Sequence, residues 1–393
     1  MVLDEKRKRI LWIEPDRFDL KKNKSPWLEM SDRLSTHRFD VEILTGFSRE
    51  RYQPTNKKVI MTYISAPDIP WLYRYGLLFK MLLWLIRNGT KQDIVIVSPF
   101  GLLIAPILNL IGFKNIHLDI RTIPVDINSF KRWVDRMLFW KIPVGLLRGS
   151  ANGYSFITER LKHAVEQEFD TKFEKYVVWQ SGVNTIMFSL PEHNNIKNPA
   201  EKFTLFYHGN ISKNRGVDRV VDAIAMLDES FREKIRFVIV GDGPWAEQLK
   251  ELIQRRGLSE IVIMKGRMPY EEMPNQIATA DCCICPLPDR LEWNVSSPLK
   301  VFEYMASGKP MILTPIAAHK DVADGQEFVV WTKGYGPLDI RDAIAYAYKH
   351  REELAVAAHG ASTFAREHYD WAQQALALAG YLSRTFGHPC ADH

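Results

Sequence analysis

The sequence predicts an α/β protein built from two doubly wound, parallel-sheet domains. Three observations predict it. Short apolar runs alternate with helix-length amphipathic segments along nearly the whole chain, the pattern of parallel strands covered on both faces. The series occurs twice, on either side of the polar, non-periodic stretch "SLPEHNNIKNPAEKFT" at 189–204, which reads as a linker. Several apolar runs end in loops bearing glycine and polar side chains, where ligands of doubly wound sheets bind.

In chain order, the first-half strands are "RILWIEP", "FDVEILT", "KVIMTYISAP", "DIVIVSP", "NIHLDIRTIP" and "GYSFITE". The second-half strands are "FTLFYHGN", "IRFVIVGDG", "IVIMKGR", "CCICPL", "PMILTP" and "EFVVWT". Helical spacing separates most of them. In "GVDRVVDAIAMLDES", for example, Val217, Val220, Val221, Ile224 and Leu227 form one stripe. From about residue 337 the pattern stays helical to a short tail. The expected division is 1–190, a linker at 191–202, a second domain at 203–368, and a C-terminal helix and tail at 369–393.

Composition narrows the class. The chain has 393 residues, 46% of them hydrophobic and 25% charged, ordinary for a soluble globular protein of two domains. Four cysteines are too few for a disulfide scaffold. Cys282, Cys283 and Cys285 share one apolar run and read as small buried hydrophobes, in keeping with a reducing cytosol. The N-terminus lacks the pattern of a signal peptide. The uncharged run at 94–113 is broken by Pro99 and Gly101 and reads as strand, loop and helix rather than a membrane span.

Charge is uneven. Residues 1–200 hold 30 Lys/Arg against 21 Asp/Glu, and residues 201–393 hold 22 against 26. Residues 51–150 alone hold 14 against 5. There, "PWLYRYGLLFKMLLWLIR" and "SFKRWVDRMLFWKIPVGLLRG" mix cations with aromatic and aliphatic residues, which suits an anionic membrane surface. The plainer reading is a pair of core helices. Basic residues interleaved with aliphatics, and no nucleic-acid motif, argue against a nucleic-acid partner.

Three loops of the second half suggest phosphate chemistry. "HGNISKNRGVD" offers Gly209, Asn210, Lys213 and Arg215 ahead of a helix, whose free N–H groups and partial positive charge favour anions. The plainer reading is a solvated loop with surface cations. "VGDGPWA" mimics a dinucleotide fingerprint, but Pro244 removes a donor and the following strand ends in Lys265 and Arg267 rather than an acid, so Gly241 and Gly243 read as a tight turn. "SSPLKVFEYMASGKP" predicts a helix capped by Ser296 or Ser297, with Pro298 at its first position and Gly308 at its end. On it, Lys300 and Glu303 share a face, either as an intrahelical ion pair or as ligands of a nucleotide.

These blocks, in order over 203–315, resemble glycosyltransferase family 4, the group 1 type, of the GT-B fold. The most specific is the Glu-x-Met-Ala-x-Gly-x-Pro pattern at 303–310. The resemblance implies two Rossmann-like domains facing across a cleft and retaining, metal-independent transfer from a UDP- or GDP-sugar, with no other cofactor. It implies a donor site of Gly209, Asn210, Lys213, Arg215, Ser297, Pro298, Leu299, Lys300 and Glu303, with Glu303 holding the ribose diol. "HYDWAQQ" resembles the start of a helix that crosses back to the first domain.

Two departures stand out. Asn210 occupies the family's arginine position, and Val295 stands where its first glutamate belongs. Glu292, three residues earlier, is the candidate replacement. No catalytic residue is fixed; Asp119, His117 and Glu292 are the candidates. His117, Asp119 and Arg121 alternate on one strand and so share a face. With Glu14, Asp16 and Arg17 they form the candidate acceptor side. The leading expectation is a cytoplasmic enzyme, peripheral on the inner face of a membrane, that builds a surface polysaccharide or glycoconjugate on a lipid-linked or glycan acceptor. The alternatives are a sugar-nucleotide epimerase of the same fold and a non-catalytic nucleotide-sugar-binding relative.

Overall fold

The computed structural model describes residues 7–18, 24–47, 59–69, 72–124, 130–189 and 202–387. The chain forms two compact units, one of 1–181 with 371–393 and one of 182–370.

In the first unit β1 (Lys8–Arg17), β2 (Phe39–Gly46), β3 (Val59–Ile64), β4 (Ile94–Val97), β5 (Ile116–Ile120), β6 (Gly153–Phe156) and β7 (Tyr176–Val178) pair in parallel. Their order is β3-β2-β1-β4-β5-β6-β7. The helices are α1 (Ser25–Thr36), α2 (Tyr73–Asn88), α3 (Ala105–Leu110), α4 (Phe130–Arg136), α5 (Ile142–Leu147) and α6 (Glu159–Phe169). The chain steps toward one edge from β1 to β3 and toward the other edge from β3 onward. Right-handed crossovers therefore place α1 on one face and α2, α3, α5 and α6 on the other. The uncharged run becomes β4, a 3-10 turn at Gly101–Ile104 and α3. Among the described residues no helix is long and apolar enough to cross a membrane.

In the second unit β8 (Phe203–His208), β9 (Ile235–Val240), β10 (Val262–Gly266), β11 (Cys282–Cys285), β12 (Met311–Leu313) and β13 (Val329–Trp331) form a parallel sheet ordered β10-β9-β8-β11-β12-β13. Around it lie α7 (Val217–Ala225), α8 (Glu229–Arg232), α9 (Ala246–Arg255), α10 (Met273–Ala278), α11 (Leu291–Asn294), α12 (Leu299–Ala306), α13 (Ala317–Ala323), α14 (Pro337–Lys349), α15 (Arg351–Ala357) and α16 (Ala361–Tyr369). Two cores cover the two sheet faces. Alternation sends Phe206 into one, and Leu205 and Tyr207 into the other. The cysteines of β11 split the same way, Cys283 and Cys285 to one core and Cys282 to the other. Burial holds all three thiols above their ordinary range, so they stay protonated.

The first division falls earlier than the polar stretch at 189–204 suggests. Val183 and Phe188 are buried in the second unit's core, and the Val183 amide donates to the Tyr369 carbonyl at 2.8 Å. Thr185 donates to Asp370. Apolar anchoring, not polarity, sets this boundary, and the linker residues 191–201 lie outside the described residues. After α16 the chain returns to the first unit as α17 (Trp371–Phe386), which packs against α1 and β7. Tyr381 Oη donates to the Lys175 carbonyl at 2.7 Å and accepts from the Tyr154 amide at 3.2 Å. Gln374 accepts from the Gln180 amide at 2.7 Å. Tyr381→Phe is expected to destabilise the first unit by about 1–2 kcal/mol, the usual effect of stranding a buried donor and acceptor; chemical denaturation followed by tryptophan fluorescence measures it, and an unchanged midpoint would show that this tether does not hold α17.

Candidate functional site

The carboxyl ends of the second sheet converge on Lys300. β8 ends at His208, and Gly209 then takes a φ of 131°, open to glycine and few others. The loop it begins lies against the next one. Ile211 donates from its amide to the Asp242 carbonyl at 3.0 Å, and Gly209 to that of Val240 at 2.9 Å. A Cβ on Gly241 or Gly243 would collide with the Gly209 or Ile211 carbonyl. These two glycines thus permit close backbone approach, a stricter requirement than the tight turn read from sequence. Gly216, at φ 75°, passes equally close to the Pro286 carbonyl. Between these fixed ends lie Asn210, Lys213 and Arg215. Lys213 is exposed. The Arg215 guanidinium rests 4.7 Å from the Trp293 ring centre, and Trp293 in turn donates to the Asn214 carbonyl at 2.8 Å.

The helix α12 starts later than its sequence suggests. Pro298 is the N-cap, not the first helical residue, and it has no side-chain cap to offer the helix. Ser296 instead donates to the Trp293 carbonyl at 2.8 Å. Gly308, at φ 58°, closes the other end as expected.

Lys300 and Glu303 do not pair with each other. Lys300 is 8% exposed. Its Nζ lies 3.3 Å from Tyr207 Oη and 4.4 Å from that ring's centre, and 3.2 Å from where a Cβ on Gly209 would sit. Among the described residues no carboxylate comes within ion-pair distance of it. Nearby, His319 bonds through Nδ1 to the Thr314 carbonyl at 2.8 Å, and its buried Nε2 has no partner. Burial lowers the His319 pKa to about 4, and the Lys300 charge pushes the same way, so the ring is neutral. A buried ammonium without a counter-ion is costly unless an anion joins it.

Glu303 is 1% exposed. Its Oε1 accepts from Tyr270 Oη at 2.7 Å. Its Oε2 lies 3.0 Å from His208 Nε2, at ion-pair distance but out of line for a hydrogen bond. Val295 is buried. Glu292, on α11, is held 2.6 Å from Arg290 Nε.

The first unit collects some of its predicted residues and separates others. Asp119 accepts from Ser155 Oγ at 2.6 Å. Burial raises Asp119 to about 6, opposed by the Arg121 charge and assisted by Glu14. The Arg121 guanidinium lies 3.4 Å over the Trp179 ring and donates to the Trp179 carbonyl. Burial lowers Arg121 to about 10, which leaves it charged. Glu14, Asp119, Arg121 and Trp179 therefore form one cluster. Asp16 and Arg17 turn away, toward Arg74 at 3.6 Å and Asp68 at 2.6 Å respectively.

His117 must be corrected as an acid–base candidate. It shares a strand face with Asp119, but its ring is buried beside Tyr381 and Phe386 of α17. Burial lowers its pKa to about 3. It touches Ser155 Oγ at 2.8 Å and is closed to any acceptor. Sequence reasoning missed Tyr207, His208, Tyr270 and His319, whose roles depend on long-range neighbours. Only the position of His208 at a strand end could have signalled it.

Residues 190–361 match the family model for glycosyl transferases group 1. An alpha-D-kanosaminyltransferase of Streptomyces kanamyceticus is 31% identical over 32% of this chain and 31% of its own length. A putative colanic acid biosynthesis glycosyltransferase, WcaL, of Escherichia coli is 28% identical over 36% and 34%. The matched segments thus span about a third of the length of these curated relatives. Among solved structures, Anabaena Alr3699/HepE in complex with UDP superposes with a TM-score of 0.73 at 15% identity, over 96% of this chain and 100% of that one. The fold is GT-B.

One pH-dependent effect follows from the first unit. The folded-state pKa of Asp119 lies near 6 against an ordinary 3.8, so the folded chain holds the proton more tightly. Its contribution is full below pH 3.8 and is lost as pH rises toward 6. Relative to the wild type, Asp119→Asn should gain stability across that window, by up to about 3 kcal/mol, and hold the gain above it. Melting temperatures of the two proteins at pH 4, 5, 6 and 7 test this, and parallel curves would contradict it.

Proposed function

We propose, from the match of residues 190–361 to the model for glycosyl transferases group 1, that the protein transfers a sugar, with retention, from a nucleotide-sugar donor to a lipid-linked glycan acceptor. The observation that carries the donor half is Lys300, a buried cation with no carboxylate at ion-pair distance among the described residues. A diphosphate supplies the missing charge. Arg215 and the N-terminus of α12 stand ready to share it. Together they stabilise the leaving nucleoside diphosphate as the bond from the anomeric carbon to phosphate oxygen breaks. The acceptor oxygen takes its place on the same face of the sugar and gives up its proton to the departing phosphate.

Glu303 serves the ribose diol in this reading. Its oxygens are engaged by Tyr270 and approached by His208, so the nucleoside takes over contacts that these side chains hold. The cluster of Glu14, Asp119 and Arg121 is assigned to the acceptor. UDP is the favoured donor nucleotide, since a protein of this fold binds it. A surface-polysaccharide role is favoured by the likeness to a colanic acid glycosyltransferase, and a membrane-presented acceptor by the basic, aromatic first half. Burial of Val295 where the family places a carboxylate favours one second reading, a relative that binds nucleotide sugar without transfer.

Calorimetric titration with UDP and GDP, on the wild type, Lys300→Ala and Glu303→Ala, tests the donor site. Loss of the Lys300 charge should weaken binding about 10- to 100-fold, on the scale of a charge-assisted hydrogen bond. Glu303→Ala should weaken it by a similar factor. Unchanged affinity in both variants would remove the site. Binding without release of nucleoside diphosphate, in the presence of membrane extract, would favour the second reading.

A further inference from the structure

The layer formed by α2, α3 and α5 in the first unit has an outward face that its own fold leaves uncovered. On α2, Leu77, Leu78, Met81, Leu82 and Leu85 face the sheet and are buried. The opposite side carries Phe79, Leu83 and Ile86, which are 58%, 49% and 50% exposed. Their spacing of four and three residues places them on one helical stripe. The same layer adds Leu110 at 87% from α3 and Leu146 at 77% from α5. Just before α5, Trp133 of α4 is 51% exposed and stacks on Phe130. Lone exposed apolar residues are ordinary, but a succession of large ones along one layer marks a contact surface.

The layer is also tied together as a unit. Tyr75 of α2 packs on Phe100 and Phe139, with ring centres 5.2 and 5.8 Å away. The Arg74 guanidinium lies about 5 Å from both of those rings. The apolar stripe of α2 is thus held in fixed relation to the segment that leads into α5.

Charge decides what covers this face. Residues 51–150 hold 14 Lys/Arg against 5 Asp/Glu, a surplus of nine positive charges. Two of the five acids, Asp93 and Asp119, are buried and contribute nothing outward. Lys80, Arg87, Lys91 and Lys114 are exposed, while Lys141 and Arg148 are half-exposed. Large apolar side chains among exposed cations, with Asp68, paired to Arg17, the one fully exposed acid among the described residues of 51–150, complement an anionic lipid surface, where the side chains enter the interface and the cations meet headgroups. A second copy of this chain would bring like charges together.

We propose that the outward face of α2, α3 and α5, with Phe79, Leu83, Ile86, Leu110 and Leu146 as its inserting side chains, docks the first unit on an anionic membrane. This deepens the reading of a membrane-presented acceptor and rests on it. The experiment is co-sedimentation of the full chain with vesicles of phosphatidylcholine alone, and of phosphatidylcholine with 30% phosphatidylglycerol. A Phe79→Glu/Leu83→Glu double variant runs beside the wild type, with UDP titration and thermal melting on both. Both positions are exposed, so the variant should melt and bind UDP as the wild type does.

The expected result is binding to the anionic vesicles at least tenfold tighter than to the neutral ones, weakened by salt, and lowered at least tenfold by the double substitution. Equal binding of variant and wild type to anionic vesicles overturns the proposal, as does no binding by the wild type. A wild-type dimer that the substitutions dissociate, with no effect on vesicles, overturns it in favour of self-association. Failure here with UDP binding intact removes the docking face and leaves the donor site standing, whereas loss of UDP binding with intact docking does the reverse.

Discussion

A parallel strand cannot be joined to its neighbour by a tight hairpin, and every other property of this molecule depends on that constraint. The connections must cross over, mostly through helices, and the helices cover both faces of each sheet. In the second unit the strands other than the edge strand β10 are almost wholly buried, so polar chemistry gathers at their ends. That is where Gly209, Gly241 and Gly216 appear, each at a point where one backbone segment meets another. Close contact between loops leaves space for few side chains; Lys300 and Glu303 enter the site from an adjoining helix, Tyr207 and His208 from the end of β8. Lys300 and Glu303 come from the same helix but arrive in different surroundings. One meets an aromatic ring and bare backbone, the other a phenol and an imidazole.

Alternation of period two and period four made the fold legible. The strands of both units, the stripe of α7 and the return of α17 can all be read from apolar spacing, because burial on a sheet or helix follows that spacing directly. The first boundary was less legible. Val183 and Phe188 belong to the second core although the polar stretch comes after them, since a buried side chain binds its segment more firmly than a run of asparagines separates it.

The candidate site was only half legible. Loop glycines, Lys300 and Glu303 stand out because their types are unusual where they occur. What they touch did not, because Tyr270 comes from 33 residues away and Tyr207 from 93. Alternation was right to give His117 and Asp119 one face of β5. It could not say that Tyr381 and Phe386 of α17 cover the His117 ring. The N-terminus of α12 failed for a local reason, since Ser296 turns back to α11 rather than forward to the helix.

The first unit is discontinuous in sequence, and this gives synthesis an order. Residues 182–370 are complete and able to fold before the segment that forms α17 has been made. Until then the α1 side of the first sheet, with His117 and its apolar neighbours, lacks its cover. The unit begun first of the two is therefore the one finished last. During translation, the surface most in need of protection belongs to the earlier-made unit rather than to the segment just leaving the ribosome.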